Sequence, residues 1–231
     1  MKAKKYETMN EVAKIFCQAT KEVLDASTGT STKHSITVQK VPSIHLKPDI
    51  GCFVQFSGDY SGLMIMNYTG DAALELYRTS MMSMGFPEEE LESEFTADDV
   101  VNSAGEFVNQ IVGKARQLIE KNFGLHATNN QPKAITITSA INLSIATQLH
   151  RPKCRKISFR TAEGKSFYIE ISLEETEFIQ LFPSEVTVDD YDIDAIMSQH
   201  ASNSEVDAGG SAAVDDDEMD IEAIMAQAKG E

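Results

Sequence analysis

The chain has 231 residues, 42% of them apolar, enough for one domain of ordinary size with extra segments or for two small domains. Its formal charge is −16, but residues 185–231 hold 14 Asp and Glu against one Lys, which leaves −3 for residues 1–184. A near-neutral body with a strongly acidic end argues against nucleic acid as a partner, because phosphate binding needs clustered Lys and Arg. No apolar run reaches the ~20 residues of a membrane span, and none follows the N-terminal lysines, so a cytoplasmic chain without membrane insertion is expected.

The first predicted helix runs from about Met9 to Leu24, with Val12, Phe16, Ala19 and Val23 on one face. A Ser/Thr/Gly-rich stretch ends it. Ile36 and Val38 then alternate with Thr37 and Gln39 in the manner of a strand. The runs 52–57 and 63–67 flank Gly58-Asp59 and predict a hairpin. A second helix is expected from about Asp71 to Met84, with Gly85 at its C-terminal cap and Pro87 blocking continuation.

The third helix is the longest. Thr96-Ala-Asp-Asp99 has the form of an N-cap with an acid three residues on, and Gly124 suits the left-handed cap after Phe123. Its apolar stripe includes Ala104, Phe107, Val108, Ile111, Val112 and Ala115. Beyond Pro132, Ile135 and Ile137 alternate with threonines, and the runs 156–161 and 165–173 predict another hairpin about Ala162-Glu163-Gly164. This order predicts an α+β class with helices packed on a largely antiparallel sheet. Residues 1–183 form the expected domain. Residues 184–231, rich in acids and small residues, read as a mostly disordered tail.

Cys17, Cys52 and Cys154 are odd in number and widely spaced, so they predict no disulfide framework or zinc site. Cys17 and Cys52 read as buried free thiols. No phosphate-binding glycine loop and no Gly-x-Ser-x-Gly elbow occurs.

With the apolar stripe of the third helix turned inward, Asn102, Glu106, Asn109 and Gly113 fall on another face at steps of four, three and four. Gly105 and Gly113 are expected to keep the nearby surface low for an approaching molecule. A Glu and an Asn so placed usually only meet water. Asn102-Ser-Ala-Gly-Glu106-Phe-Val-Asn109-Gln-Ile-Val-Gly113, however, resembles the signature helix of the CheX/CheC phosphatases. That signature is Asp or Ser, three residues, Glu, two residues, Asn, then 22 residues and Pro. Glu106 and Asn109 match, and Pro132 falls after the same gap. The stretch 56–67 also looks like the strand–turn–strand of that family. Two departures stand out: Asn102 occupies the Asp or Ser position, and a second Glu-x-x-Asn, Glu7 to Asn10, has Lys33 where its Pro would fall. That second pair reads as chance, so one site per chain is expected.

The resemblance implies a phosphatase acting on the phospho-aspartate of a CheY-like response regulator, with a homodimeric assembly. It implies that Asn109 orients the attacking water and that Glu106 docks the regulator, Asn102 and Gly113 flanking them on the docking face. No cofactor is expected on this chain, because the Mg2+ belongs to the partner regulator. A non-catalytic adaptor on the same fold remains an alternative, as does a structural subunit associating through a sheet edge.

The tail carries a short repeat. Tyr191-Asp-Ile-Asp-Ala-Ile-Met-Ser-Gln199 recurs as Met219-Asp-Ile-Glu-Ala-Ile-Met-Ala-Gln227. Ile193, Ile196 and Met197, and then Ile221, Ile224 and Met225, form apolar stripes too short to fold alone but suited to a partner's groove. The pattern resembles the CheY-binding peptide at the N-terminus of the flagellar switch protein.

Overall fold

The computed structural model describes residues 7–137 and 149–178; the tail repeats and their six apolar residues lie outside them. Helix α1 spans Thr8–Thr28, and its Val12, Phe16 and Ala19 are buried as the 3.6-residue period requires. Short strands β1 (Lys33–His34) and β2 (Gln39–Val41) follow, then the hairpin β3 (Ile50–Gly58) and β4 (Gly62–Tyr68). Next come α2 (Gly70–Ser83), a 3-10 turn (Glu88–Glu90) and α3 (Asp98–Phe123). Strands β5 (Ala127–Asn129), β6 (Lys133–Thr136), β7 (Lys153–Arg160) and β8 (Ser166–Leu173) complete the described part.

All the strands join one antiparallel sheet in the order β1-β7-β8-β4-β3-β5, with β2 also on β7 and β6 also on β3. The three α-helices pack into one core with the sheet, which is the expected α+β architecture. Central strand β4 is buried along its whole length. Met64, Met66 and Tyr68 point into the helix-side core, while Leu63 and Ile65 meet Leu46 and Ile137 in a second cluster. Two-sided burial explains why its sequence reads as a nearly continuous apolar run. On the helix side, Phe16 stacks on Phe56 with centroids 5.8 Å apart, and Phe159 stacks on Phe167 at 5.2 Å. Each such buried ring stabilises the fold by roughly 2–3 kcal/mol relative to an exposed one.

The segment between β2 and β3 crosses the second face of the sheet, where Leu46 is fully buried. Its backbone is satisfied by side chains from the sheet. The His45 N–H donates to Glu170 Oε2 (2.8 Å), and the Lys47 N–H donates to Asn67 Oδ1 (2.7 Å).

Several local expectations change. Ile36 and Val38 are not strand residues: they lie in the link between β1 and β2, with Ile36 99% exposed. Pairing with β7 lapses there because residues 35–38 face only 157 and 158 of β7, so the chain bulges, and Ser35 Oγ donates to the Thr37 carbonyl within the bulge. Thr96 does not cap α3. Ala97 holds that position without a side-chain bond, and Asp98 and Asp99 in the first turn complement the helix dipole instead. Cys17 is only half-buried, whereas Cys52 and Cys154 are buried. Burial pushes the Cys52 thiol up to about 12. Gly124, with φ of 67°, ends α3 in the expected left-handed conformation.

Candidate functional site

Helix α3 presents two faces because its period is helical throughout. Val100, Ala104, Phe107, Val108, Ile111 and Val112 are buried. Asn102, Glu106, Asn109 and Gly113 are all exposed. The carboxylate and the carboxamide stand one turn apart on this free face. A Cβ at Gly113 would meet nothing within 4 Å, so the surface beside Asn109 is open. Gly105 has a different use. A Cβ there would lie 3.6 Å from the Ala134 Cβ, so Gly105 seats α3 against β6 rather than lowering the exposed face. Pro132 is half-buried just before β6 begins.

Glu106 is held from its own helix. Gln110 Nε2 donates to Glu106 Oε1 (3.0 Å), and Ser27 Oγ at the end of α1 donates weakly to Gln110 Oε1 (3.5 Å). Only one carboxylate oxygen is engaged among the described residues, so the other can meet a cation from outside. Lys114, beside Gly113, pairs with Glu22 at 3.4 Å and ties α3 to α1. Gln110 escaped the motif reading, although its position four residues after Glu106 is the spacing of side-chain partners on a helix. Ser27 had no comparable signal, because its contact depends on how two distant helices cross.

Asn102 and Glu106 also line an open cleft of about 940 Å³. Its other walls are the end of α1, the end of α2 and the connection before α3. Asn109 lies outside this lining. The carboxamide therefore faces the open side of α3, while the carboxylate stands between that side and the cleft.

The second Glu-x-x-Asn has other partners. Arg155 of β7, only 4% exposed, donates through Nη2 to Glu7 Oε1 (2.9 Å) and through Nε to Asn10 Oδ1 (2.9 Å). Asn10 Nδ2 in turn donates to Glu7 Oε2 (3.0 Å). Burial pushes the Glu7 carboxyl up, but Arg155 and Lys40 outweigh it and hold the carboxyl below the usual range. These side chains clamp α1 to the sheet.

Among the described residues, no group of three or more His, Cys, Asp or Glu is placed to hold a metal ion, and no helix is long and apolar enough to cross a membrane.

A family model described as "Protein of unknown function (DUF3334)" matches residues 3–227, which takes in the acidic tail. No curated protein matches the chain. Solved structures do. A chemotaxis protein CheX of Desulfovibrio desulfuricans is 22% identical, with a TM-score of 0.58 over 71% of this chain and 99% of that one. CheX of Vibrio vulnificus is 16% identical, with a TM-score of 0.58 over 71% and 99%. A CheX–CheY–BeF3–Mg2+ complex of Borrelia burgdorferi gives 17% identity and a TM-score of 0.52 over 71% and 98%. At these identities the likeness is one of fold alone: the described residues have a CheX/CheC-like fold.

Proposed function

The chain belongs to the DUF3334 family, and from that premise, its CheX/CheC-like fold and the exposed Glu106–Asn109 pair, we propose that it dephosphorylates the phospho-aspartate of a CheY-like response regulator. The observation that carries the proposal is the free ridge of α3, where the two side chains stand one turn apart with open space at Gly113. The CheX structure solved with CheY, BeF3 and Mg2+ supports the choice of partner.

An acyl phosphate already has a good leaving group. Water attacks phosphorus, the bond from phosphorus to the aspartyl oxygen breaks, and aspartate and inorganic phosphate result. The catalyst has only to place the water in line and to keep the loose transition state aligned. The Asn109 carboxamide oxygen accepts a hydrogen bond from that water and aims its lone pair without becoming a strong base. Glu106, held on one oxygen by Gln110, pairs with a lysine of the regulator and fixes the angle of approach. The divalent cation belongs to the regulator and neutralises phosphoryl charge there. Asn102 at the Asp or Ser position favours a second reading, a non-catalytic adaptor that binds the regulator on the same face.

The deciding experiment measures phosphate release from a panel of Mg2+-loaded, phosphorylated CheY-like domains by the wild type and by Asn109→Ala. Acceleration by the wild type that the variant loses supports the enzyme. Stoichiometric binding without turnover selects the adaptor. Residues 193–197 and 221–225 we propose as additional regulator-docking segments; an isolated 185–231 peptide with no affinity for any CheY-like domain would remove that role.

A further inference from the structure

Large apolar side chains are exposed at six described positions, and three of them, Met82, Met84 and Phe86, cluster at the end of α2. Local backbone chemistry puts them there. Gly85, at φ of 94°, takes the left-handed turn that residues with side chains avoid. The Phe86 N–H then donates to the Met81 carbonyl (3.1 Å) and the Gly85 N–H to the Met82 carbonyl (3.0 Å). This paired closure of a helix end folds the residue after the glycine back toward the last turn. Phe86 and Met81 thereby line the same cleft, with Met84, Tyr77, Leu91 and Phe107 completing its apolar lining.

The rim has one sign of charge. Residues 86–99 contain seven Asp and Glu and no Lys or Arg. Arg78 of α2 compensates part of this, donating to Glu88 Oε1 (2.9 Å) and to the Glu92 carbonyl (3.0 Å). Phe95 anchors the far end against Gly70, where an added Cβ would stand 2.6 Å from the ring. The connection is thus pinned at both ends, and its remaining carboxylates are exposed to solvent. Six of the seven keep no paired base among the described residues.

We infer that this cleft is a second docking subsite, which takes a basic amphipathic helix of the response regulator. The inference rests on the reading that the Glu106 face docks such a regulator. An apolar trough edged by carboxylates fits a helix with apolar residues on one side and Lys or Arg flanking them. A second copy of this chain fits the acidic rim less well, since its residues 1–184 carry −3 and its residues 185–231 carry −13. The subsite is contiguous with Glu106 but excludes Asn109. Carboxylates of the rim therefore attract the partner without lining the place where an anionic phosphoryl group must sit. Binding and water placement are divided between two sides of one helix.

The test uses the full chain and beryllofluoride-loaded CheY-like domains, with affinity measured by titration calorimetry and association rates by stopped flow. The variants are M84S/F86S and E89K/E92K/E94K, all at exposed positions that preserve the core. The apolar variant is expected to weaken binding by roughly 10–30-fold, as loss of a contact anchor does. The charge-reversed variant should slow association about tenfold at low ionic strength, and the difference should vanish near 0.5 M salt. Both should hydrolyse phospho-regulator at the wild-type rate once saturated. Wild-type affinity in both variants, or faster association after charge reversal, overturns the subsite while leaving the proposed function intact. A wild type that binds no regulator removes both readings.

Discussion

Two Glu-x-x-Asn pairs in this chain share a spacing and differ in everything around them. Glu7 and Asn10 begin α1 and are saturated by Arg155, a buried guanidinium on the strand beneath. Glu106 and Asn109 sit in the middle of α3 on a face with no strand beneath it, and both are exposed. Helical spacing only guarantees that the two side chains are neighbours. Whether they can reach another molecule depends on what the sheet presents below them. Exchange of the two asparagines is the sharpest way to break the comparison. Asn109→Ala should lower regulator dephosphorylation at least ~100-fold, about 2.7 kcal/mol in barrier height, with regulator affinity nearly unchanged. Asn10→Ala should leave the rate alone. Equal rates for wild type and Asn109→Ala, measured as phosphate release, would put the chemistry elsewhere.

Arg155 supplies the next largest effect, and it falls on stability. Arg155→Ala strands the Glu7 carboxylate without its main partner and opens space under α1. Glu7 is one-third exposed and keeps Lys40 at 3.7 Å, so the expected loss is about 2 kcal/mol, read as a lower midpoint in urea with an unchanged slope. Asn109-dependent hydrolysis should persist wherever the variant remains folded. If Arg155→Ala instead gained an Asn10-dependent activity, the two pairs would differ only by the plug that covers one of them.

How far the sequence disclosed this contrast depends on which forces are local. The stripes of α1 and α3 were legible because burial of one face imposes a period that survives in the residue order. The same stripe put Glu106 and Asn109 outside, and the structure finds both exposed. The hairpin of β3 and β4 was legible for a similar reason, since β4 is buried on both faces and keeps a nearly apolar run. Ile36 and Val38 alternated like a strand yet bulge out of the sheet, because residues 35–38 face only 157 and 158 of β7, and alternation does not show how many residues the partner strand offers. Gly105 was misread as surface for the same kind of reason: its contact, Ala134, is 29 residues away. The cleft beside Glu106 was not legible at all. It exists only where the ends of α1 and α2 meet the flank of α3.

Gln110 tests whether Glu106 needs to be held as firmly as Glu7 is. Gln110→Ala removes the donor on Glu106 Oε1 and frees the carboxylate to wander. Regulator affinity should fall about fivefold, near 1 kcal/mol, with the saturated rate preserved. Gln110→Glu should lower stability slightly through repulsion at i, i+4. If Gln110→Ala binds as the wild type does, Glu106 is positioned by the partner alone.

The smallest expected effect is a pH dependence of stability at Glu7. Glu7 has a folded-state carboxyl held below its ordinary value of 4.5, because attraction to Arg155 and Lys40 exceeds the upward push of burial. A depressed acid contributes stability that is fully present above the unfolded value and disappears as pH falls through the folded one. Thermal midpoints of the wild type and Glu7→Gln should therefore differ by a constant amount from pH 7 down to about 5 and converge below the ordinary carboxylate range. A Glu7→Gln gap that persists undiminished to pH 3 would mean that the clamp under α1 holds through hydrogen bonds alone, and the charge on Arg155 would no longer distinguish the closed pair from the open one.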